Sequence, residues 1–299
     1  MSSQTIAIFG EVLFDQFPDG QVLLGGAPFN VVWHLTALGA NPCFISRVGN
    51  DDLGHSICEA MQYWGIATNQ LQIDHQHPTG TVTVSIHQGE PEYAILDQQA
   101  YDFIDTKQLD HNPDYAIIYH GTLAMRHAIS AEALDNLIAS TDCKIFIDVN
   151  LRAPWWHLET VERLLQKANW VKLNQQELKE LSPKNGTVTT LMQWFISHYQ
   201  LDLLIVTLGN QGAIALNNKD EWVKVAPEQE LNVIDTVGAG DAFAAIILLG
   251  LQQNWSLEKI MCRAQEFASA SVTQQGAISK DTDFYQPFIT DWLLNTTIE

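Results

Sequence analysis

The stretch Asp235-Thr-Val-Gly-Ala-Gly-Asp241 holds the residue types best suited to chemistry. Gly238-Ala239-Gly240 reads as a tight turn, Val233-Ile234 before it as the end of a buried strand, and Ala242-Phe-Ala-Ala-Ile-Ile-Leu-Leu249 after it as a buried helix. Strand, glycine turn and helix start aim several backbone N–H groups at one spot. Two glycines let a ligand come close, and the helix N-terminus adds partial positive charge. The expected ligand is an anion, most simply a phosphate. Asp241, in the first helical turn, is placed to take a proton from a nucleophile attacking a phosphoryl group. An aspartate there is also an ordinary helix cap, so the whole run carries the reading rather than Asp241 alone. No Gly-Lys-Ser/Thr follows, which sets aside a Walker A loop. A dinucleotide turn is conceivable from Gly238-x-Gly240 with Glu258 downstream, but Trp255-Ser-Leu-Glu258 reads as a helix start.

Elsewhere, Gly25-Gly26-Ala-Pro-Phe-Asn30 opens a helix that should run to Gly39, with Pro28 suited to its first position. The glycines admit a small polyhydroxy ligand, and Asn30 both donates and accepts hydrogen bonds. A plain turn with Asn30 as a cap is the alternative. Asp15, leaving the first strand, offers a carboxylate to two hydroxyls. Asp148-Val-Asn-Leu-Arg152 follows the strand Lys144–Ile147, at the strand end where parallel sheets bind ligands. Arg152 there meets substrate or phosphate, or pairs with Asp148. Asn174-Gln-Gln-Glu177 has the form of a capping box, and its amide and carboxylate are also hard oxygen donors that suit magnesium.

The glycine run resembles the signature of the ribokinase-like (PfkB) carbohydrate kinases. The Gly25-Gly26 segment, Phe44-Ile-Ser-Arg-Val-Gly-Asn-Asp-Asp-Leu-Gly54, Asp-x-Asn-x-Arg and Asn-x-x-Glu follow in the family's order, so that the resemblance covers roughly residues 5–280. It implies an α/β fold of three layers, a mainly parallel central sheet flanked by helices, with a small β-sheet lid from about 12–24 and 75–103 inserted in one domain over 1–299. It implies that Gly238, Ala239 and Gly240 stabilise the transferring phosphate, that Asp241 is the general base, and that Asp15, Gly26, Asn30 and Arg152 contact the sugar. Asn174, Thr207, Gly209 and Gly212 would lie along ATP. Gln265 falls where many relatives carry an asparagine near adenine, though a solvated or core amide is the plainer reading. Glu177 would position Mg2+ through water. A monovalent cation and a homodimer paired through the lids are left open by the resemblance. Gly-Gly-Ala-Pro-x-Asn looks most like fructokinases. Another sugar, a 2-keto-3-deoxy acid, a nucleoside, or a catalytically silent binding protein are the alternatives. Ile246, where relatives often carry glycine, is a departure that leaves the catalytic atoms untouched.

Composition agrees. The chain has 299 residues and 46% apolar content, enough for a large α/β core. Its net charge of −20 argues against nucleic acid and anionic membrane as partners, and requires backbone amides and magnesium to offset ATP. Cys43, Cys58, Cys143 and Cys262 are scattered, forming no metal spacing or disulfide framework. With no signal-like start, a cytoplasmic location is expected.

Along the chain, Ile6–Phe9, Tyr115–Tyr119, Trp170–Leu173, Leu203–Leu208, Ala213–Leu216 and Trp222–Val225 read as strands of the main sheet. Helices are expected over 51–64, over 127–140, and from Ser256 to near Gly276. Thr79–Ile86 and Tyr93–Leu96 alternate at period two around a turn at Gln88-Gly-Glu-Pro91, and with 12–24 form the small sheet. Asp74-His-Gln-His77 could suggest a metal, but its two histidines at i, i+2 in a polar turn read as solvated; Trp155-Trp156 reads as packing, and residues beyond 280 as peripheral.

Overall fold

A computed structural model describes residues 5–87, 90–110, 114–183, 185–227 and 232–292. The strands, in chain order, are β1 (Thr5–Phe9), β2 (Leu13–Gln16), β3 (Val22–Gly25), β4 (Cys43–Gly49), β5 (Leu71–Asp74), β6 (Gly80–His87), β7 (Glu90–Ile95), β8 (Tyr115–His120), β9 (Lys144–Asp148), β10 (Trp170–Asn174), β11 (Leu203–Thr207), β12 (Ala213–Asn217) and β13 (Trp222–Val225). The helices are α1 (Ala27–Ala37), α2 (Asp52–Trp64), α3 (Ala128–Ala139), α4 (Leu158–Leu165), α5 (Gln175–Glu180), α6 (Val188–Tyr199), α7 (Ala239–Gln252), α8 (Leu257–Ser271) and α9 (Gln286–Asp291).

Nine strands form one sheet in the order β13-β12-β11-β10-β9-β8-β1-β4-β5. From β5 to β11 neighbouring strands run parallel, and β12 and β13 add antiparallel at one edge. Successive side chains on a strand face opposite sides. Ile6 and Ile8 therefore join one core with α1, α2, α7, α8 and α9, whereas Ala7 and Phe9 join a second core with α3, α4, α5 and α6. Three layers result, as the resemblance implies. On β10 the same alternation puts Val171 and Leu173 in the second core, and so turns Lys172 toward the α7 side. On β9 Ile147 is in the second core and Phe146 in the first, so Asp148 also faces α7. The chain order reverses between β1 and β8, which places a ligand crevice beyond the strand C-termini there.

A second sheet has the order β3-β2-β6-β7, with β2 parallel to β6. It is narrower than the expected 75–103 segment. Asp74 closes β5 in the large sheet, and Ala100–Phe103 is a buried helical turn of the main body. Gln88 and Gly89 of the expected turn lie outside the described residues.

Several expectations need correction. Val233 and Ile234 are 52% and 61% exposed and belong to no strand. The N–H groups of Ile234 and Asp235 go instead to the Val272 carbonyl, just past α8. Helix α8 stops at Ser271, and the N–H of Gly276 bonds to the Asp235 carboxylate at 2.9 Å. Several residues between 281 and 292 are not peripheral. Tyr285, Phe288 and Trp292 are buried in an aromatic cluster around Phe267, and the Tyr285 hydroxyl lies 3.1 Å from His34 Nδ1. Of the two histidines expected to be solvated, His75 is exposed, whereas His77 is half-buried with its ring stacked on Phe103. Asp74 beside them is buried, pairs with Arg47 at 2.8 Å and accepts from the N–H groups of Gln76 and His77. Trp155 and Trp156 do pack half-buried against the core.

Candidate active site

Helix α7 is buried continuously from Ala242 to Gly250, so its first turn is held rigidly by the core beneath it. Gly238 caps it at φ 76°, in the left-handed region, and an added Cβ there would strike Ala277. Asp235 closes the turn by accepting from the N–H groups of Val237 and Gly276. The Ala239 N–H is directed to the Thr236 carbonyl at 3.3 Å, and the Asp241 N–H to Gly238 at 3.0 Å. Within Gly238–Asp241, the N–H groups of Gly238 and Gly240 are without an acceptor among the described residues. Of the three amides expected to face an anion, Ala239 is thus already engaged. Gly240 is exposed, and an added Cβ would meet only Lys172 Nζ, at 3.4 Å.

Helices α1 and α7 pack together, and this brings the two sequence landmarks into contact. The buried Asn30, one turn into α1, donates from Nδ2 to Asp241 Oδ2 at 2.8 Å. It is therefore no helix cap. Burial raises the Asp241 carboxyl to about 6. Asn30 pulls it down, Asp148 pushes it up, and Lys172 and Arg152 pull it down. Below the turn, Lys172 and Asp148 form a buried ion pair at 2.7 Å, with the Tyr119 hydroxyl 3.4 Å from the same carboxylate oxygen. Arg152 does not take the Asp148 partner role. It is exposed, and its charge lowers the pKa of Glu11, Asp15 and Asp241. Asp15 lies on β2, half-buried and raised by that burial, with Gly25 beside it. Gly26 caps α1 at φ 106° against the Glu11 carbonyl. Asp15, Gly26, Asn30, Arg152 and Asp241 are thus grouped around one place.

A second group lies further along the sheet. Asn174 and Thr207 are paired neighbours at the ends of β10 and β11. With Gln175, Gln176, Lys179, Leu208 and Gly209 they line a surface cavity of about 450 Å3. The capping box is real: Asn174 Oδ1 accepts from the N–H groups of Gln176 and Glu177, and Glu177 Oε2 from the Asn174 N–H. Glu177 Oε1 accepts from the Leu151 N–H at 2.8 Å, and the buried carboxyl is raised, chiefly by desolvation. Lys172 and Asn174 are both on β10, so about 7 Å of strand separates the two groups. Gly212 and Gln265 are not brought to this cavity. Gly212 is buried in the turn into β12, at φ 87° against the Val225 carbonyl, and Gln265 donates to Ser269 within α8.

Sequence reasoning missed Glu11, Lys172 and Lys179. A lysine inside the apolar run Trp170-Val-Lys-Leu173, and a glutamate directly after a buried strand, were the available signals.

Comparison with known proteins gives the chain a family. A model of the pfkB family carbohydrate kinases matches residues 8–283. The fructokinase of Salmonella typhimurium is 29% identical over 293 residues, which are 91% of this chain and 94% of that protein. The crystal structure of Vibrio cholerae O395 fructokinase, bound to fructose, ADP and calcium ion, superposes with a TM-score of 0.81 at 26% identity, covering 96% of this chain and 99% of that one. A sugar kinase from Pyrococcus horikoshii in complex with ATP superposes with a TM-score of 0.78 at 26% identity, covering 91% and 93%. Among the described residues no helix is long and apolar enough to cross a membrane. With the family model spanning nearly the whole sequence, the chain belongs to the pfkB family of carbohydrate kinases, phosphotransferases that act on an alcohol group.

Proposed function

We propose that this protein transfers the γ-phosphoryl group of ATP to a hydroxyl of fructose. One observation carries the reading. A carboxyl raised toward neutrality, Asp241, is fixed by Asn30 beside the unpaired N–H of the exposed Gly240. The base and the anion site therefore share a single turn. The acceptor hydroxyl gives its proton to Asp241 as its oxygen attacks the γ-phosphorus, while the bond from that phosphorus to the β–γ bridging oxygen breaks and ADP leaves with that electron pair. The N–H groups of Gly238 and Gly240, with the Lys172 ammonium beneath them, stabilise negative charge on the transferring oxygens. Among the described residues only Lys172 Nζ would meet a Cβ at Gly240, which suits close approach of a phosphate.

Fructose is favoured because the fructokinases of Salmonella typhimurium and Vibrio cholerae match along almost the whole chain. The nucleotide would lie in the cavity lined by Asn174, Lys179, Thr207 and Gly209. Mg2+ fits the donor set only through water, since both oxygens of Glu177 and the Asn174 Oδ1 already accept backbone N–H groups. When bound, it would neutralise the polyphosphate. The small sheet would act as the lid. Tyr93 on its β7 is half-exposed, and its hydroxyl is raised by partial burial and by the charges of Asp15 and Asp235. A closed lid keeps water from competing for the phosphoryl group.

The test is ADP release from Mg-ATP with a panel of sugars, 2-keto-3-deoxy acids and nucleosides, against a blank lacking acceptor. Fructose-dependent turnover well above every other acceptor is the expected result. Turnover on a different acceptor corrects the substrate and keeps the mechanism. Ligand binding without phosphoryl transfer overturns the reaction.

A further inference from the structure

Glu11 stands where the chain leaves the large sheet for the small one, between β1 and β2. It is 4% exposed, and its Oε2 has no partner among the described residues. Buried polar groups in folded proteins are almost always paired, so an orphaned carboxyl oxygen marks a place that something else occupies. The surroundings say where that place is. Glu11 is raised to about 7 by its burial, and it senses the charges of Arg152, Asp241 and Arg126. Its carbonyl lies against Gly26, which caps the helix that carries Asn30. Two further buried atoms in this neighbourhood also lack partners. One is Asn30 Oδ1, whose amide nitrogen is held by Asp241. The other is the Tyr101 hydroxyl, which senses the Glu11 charge. A carboxyl, an amide oxygen and a phenol, all unpaired, match a ligand whose every hydroxyl can both donate and accept.

We propose that Glu11 is an acceptor-binding residue, its carboxyl holding a sugar hydroxyl other than the one that reacts, so that it helps select the sugar. The proposal rests on the kinase reading above. A site built to bond a hydroxyl discriminates strongly against ligands that lack it, because its buried polar groups are then left unpaired. A buried water joining Glu11 to Tyr101 would satisfy the same atoms without selecting any ligand.

Calorimetric titration of fructose into nucleotide-free wild type, Glu11→Gln and Glu11→Ala, alongside steady-state ADP release, separates these. Glu11→Ala is expected to weaken fructose affinity and raise the fructose KM by about tenfold or more, with the ATP KM within about twofold. Glu11→Gln, which keeps a donor and an acceptor, should recover most of the loss. Fructose affinity within about twofold of wild type in Glu11→Ala, with lowered thermal stability, assigns the carboxyl to a buried water and overturns the proposal. Equal losses for fructose and ATP overturn it as well. If Glu11→Ala does not fold, Glu11→Asp withdraws the carboxyl by one methylene, and unchanged affinity there is decisive against the role. Wild type that binds fructose without phosphoryl transfer removes the reaction alone and leaves the calorimetry to judge Glu11. Wild type that binds no sugar removes both.

Discussion

The two halves of the site are built on opposite terms. Around Asp241 the polar groups are buried and under-satisfied: Glu11 Oε2 and Asn30 Oδ1 have no partner among the described residues, Asp241 is raised to about 6, and Lys172 and Asp148 are shut in together. Around Asn174 its amide oxygen and the Glu177 carboxylate are already satisfied by backbone N–H groups, and the cavity beside them is open at the surface. The first region is electrostatically costly before any ligand arrives, and so is preorganised for chemistry. The second is a shelf shaped by backbone, suited to holding a nucleotide without reacting with it. Mutations should therefore divide by region: large effects on turnover and charge in the first, small effects on caps and binding in the second.

The sharpest way to break this contrast is Asp241→Asn. Turnover should fall by at least roughly 100-fold with little change in sugar or ATP affinity, measured by ADP release and calorimetry. Near-normal turnover in the folded variant would remove Asp241 from the role of base. Next, kcat/KM for the sugar should decline about tenfold per pH unit below about 6, because the ionised Asp241 is the competent form. An acid limb near 4 would contradict the raised carboxyl. The same shift has a stability sign. The folded value exceeds the ordinary 3.8, so the contribution of Asp241 is complete below that value and is lost as pH rises through about 6. Asp241→Asn should thus gain more thermal stability over wild type at pH 8 than at pH 5, and an equal gain at both would separate the stability effect from ionisation.

Lys172→Met tests the buried pair. Leaving Asp148 unpaired should cost about 3–5 kcal/mol in denaturant unfolding, and adding Asp148→Asn should restore much of it. A loss under about 1 kcal/mol would mean that water reaches the pair. In the second region, Asn174→Ala removes a cap and should cost about 1 kcal/mol, with only a severalfold rise in the ATP KM. Gln265→Ala, already bonded within its own helix, should leave the ATP KM within about twofold. A large effect there would extend the nucleotide site to α8.

How far the sequence discloses this arrangement depends on the range of the interaction. Local devices were readable: the glycine turn, the capping box at Asn174-Gln-Gln-Glu177, the period-two strands and the helix at 52–64 all depend on neighbours within a few residues. Contacts set by packing were not. Asp148 pairs with Lys172 on the next strand rather than with Arg152 four residues on, because β9 and β10 turn both side chains to the same face. Val233 and Ile234 have strand-like residue types, yet the N–H groups of Ile234 and Asp235 are claimed by the Val272 carbonyl just past α8. Tyr285 is buried because an aromatic cluster forms around Phe267, which no local pattern near residue 285 announces.

The manner in which the two sheets are joined has a kinematic consequence. The chain crosses between them at residues 10–12, at Gly26, at 75–79 and at 96–99. These crossings are four short bars between two plates, a closed linkage with very few independent motions. The crossing at Gly26 is one residue long, and each residue contributes only two soft torsions. Any swing of the small plate must therefore pass through that residue, whose φ of 106° is one that side-chain-bearing residues rarely adopt. Asp15 rides on one plate and Asn30 on the other. A ligand gripped by both would fix the remaining angle of the linkage, locking the joint by the act of being held.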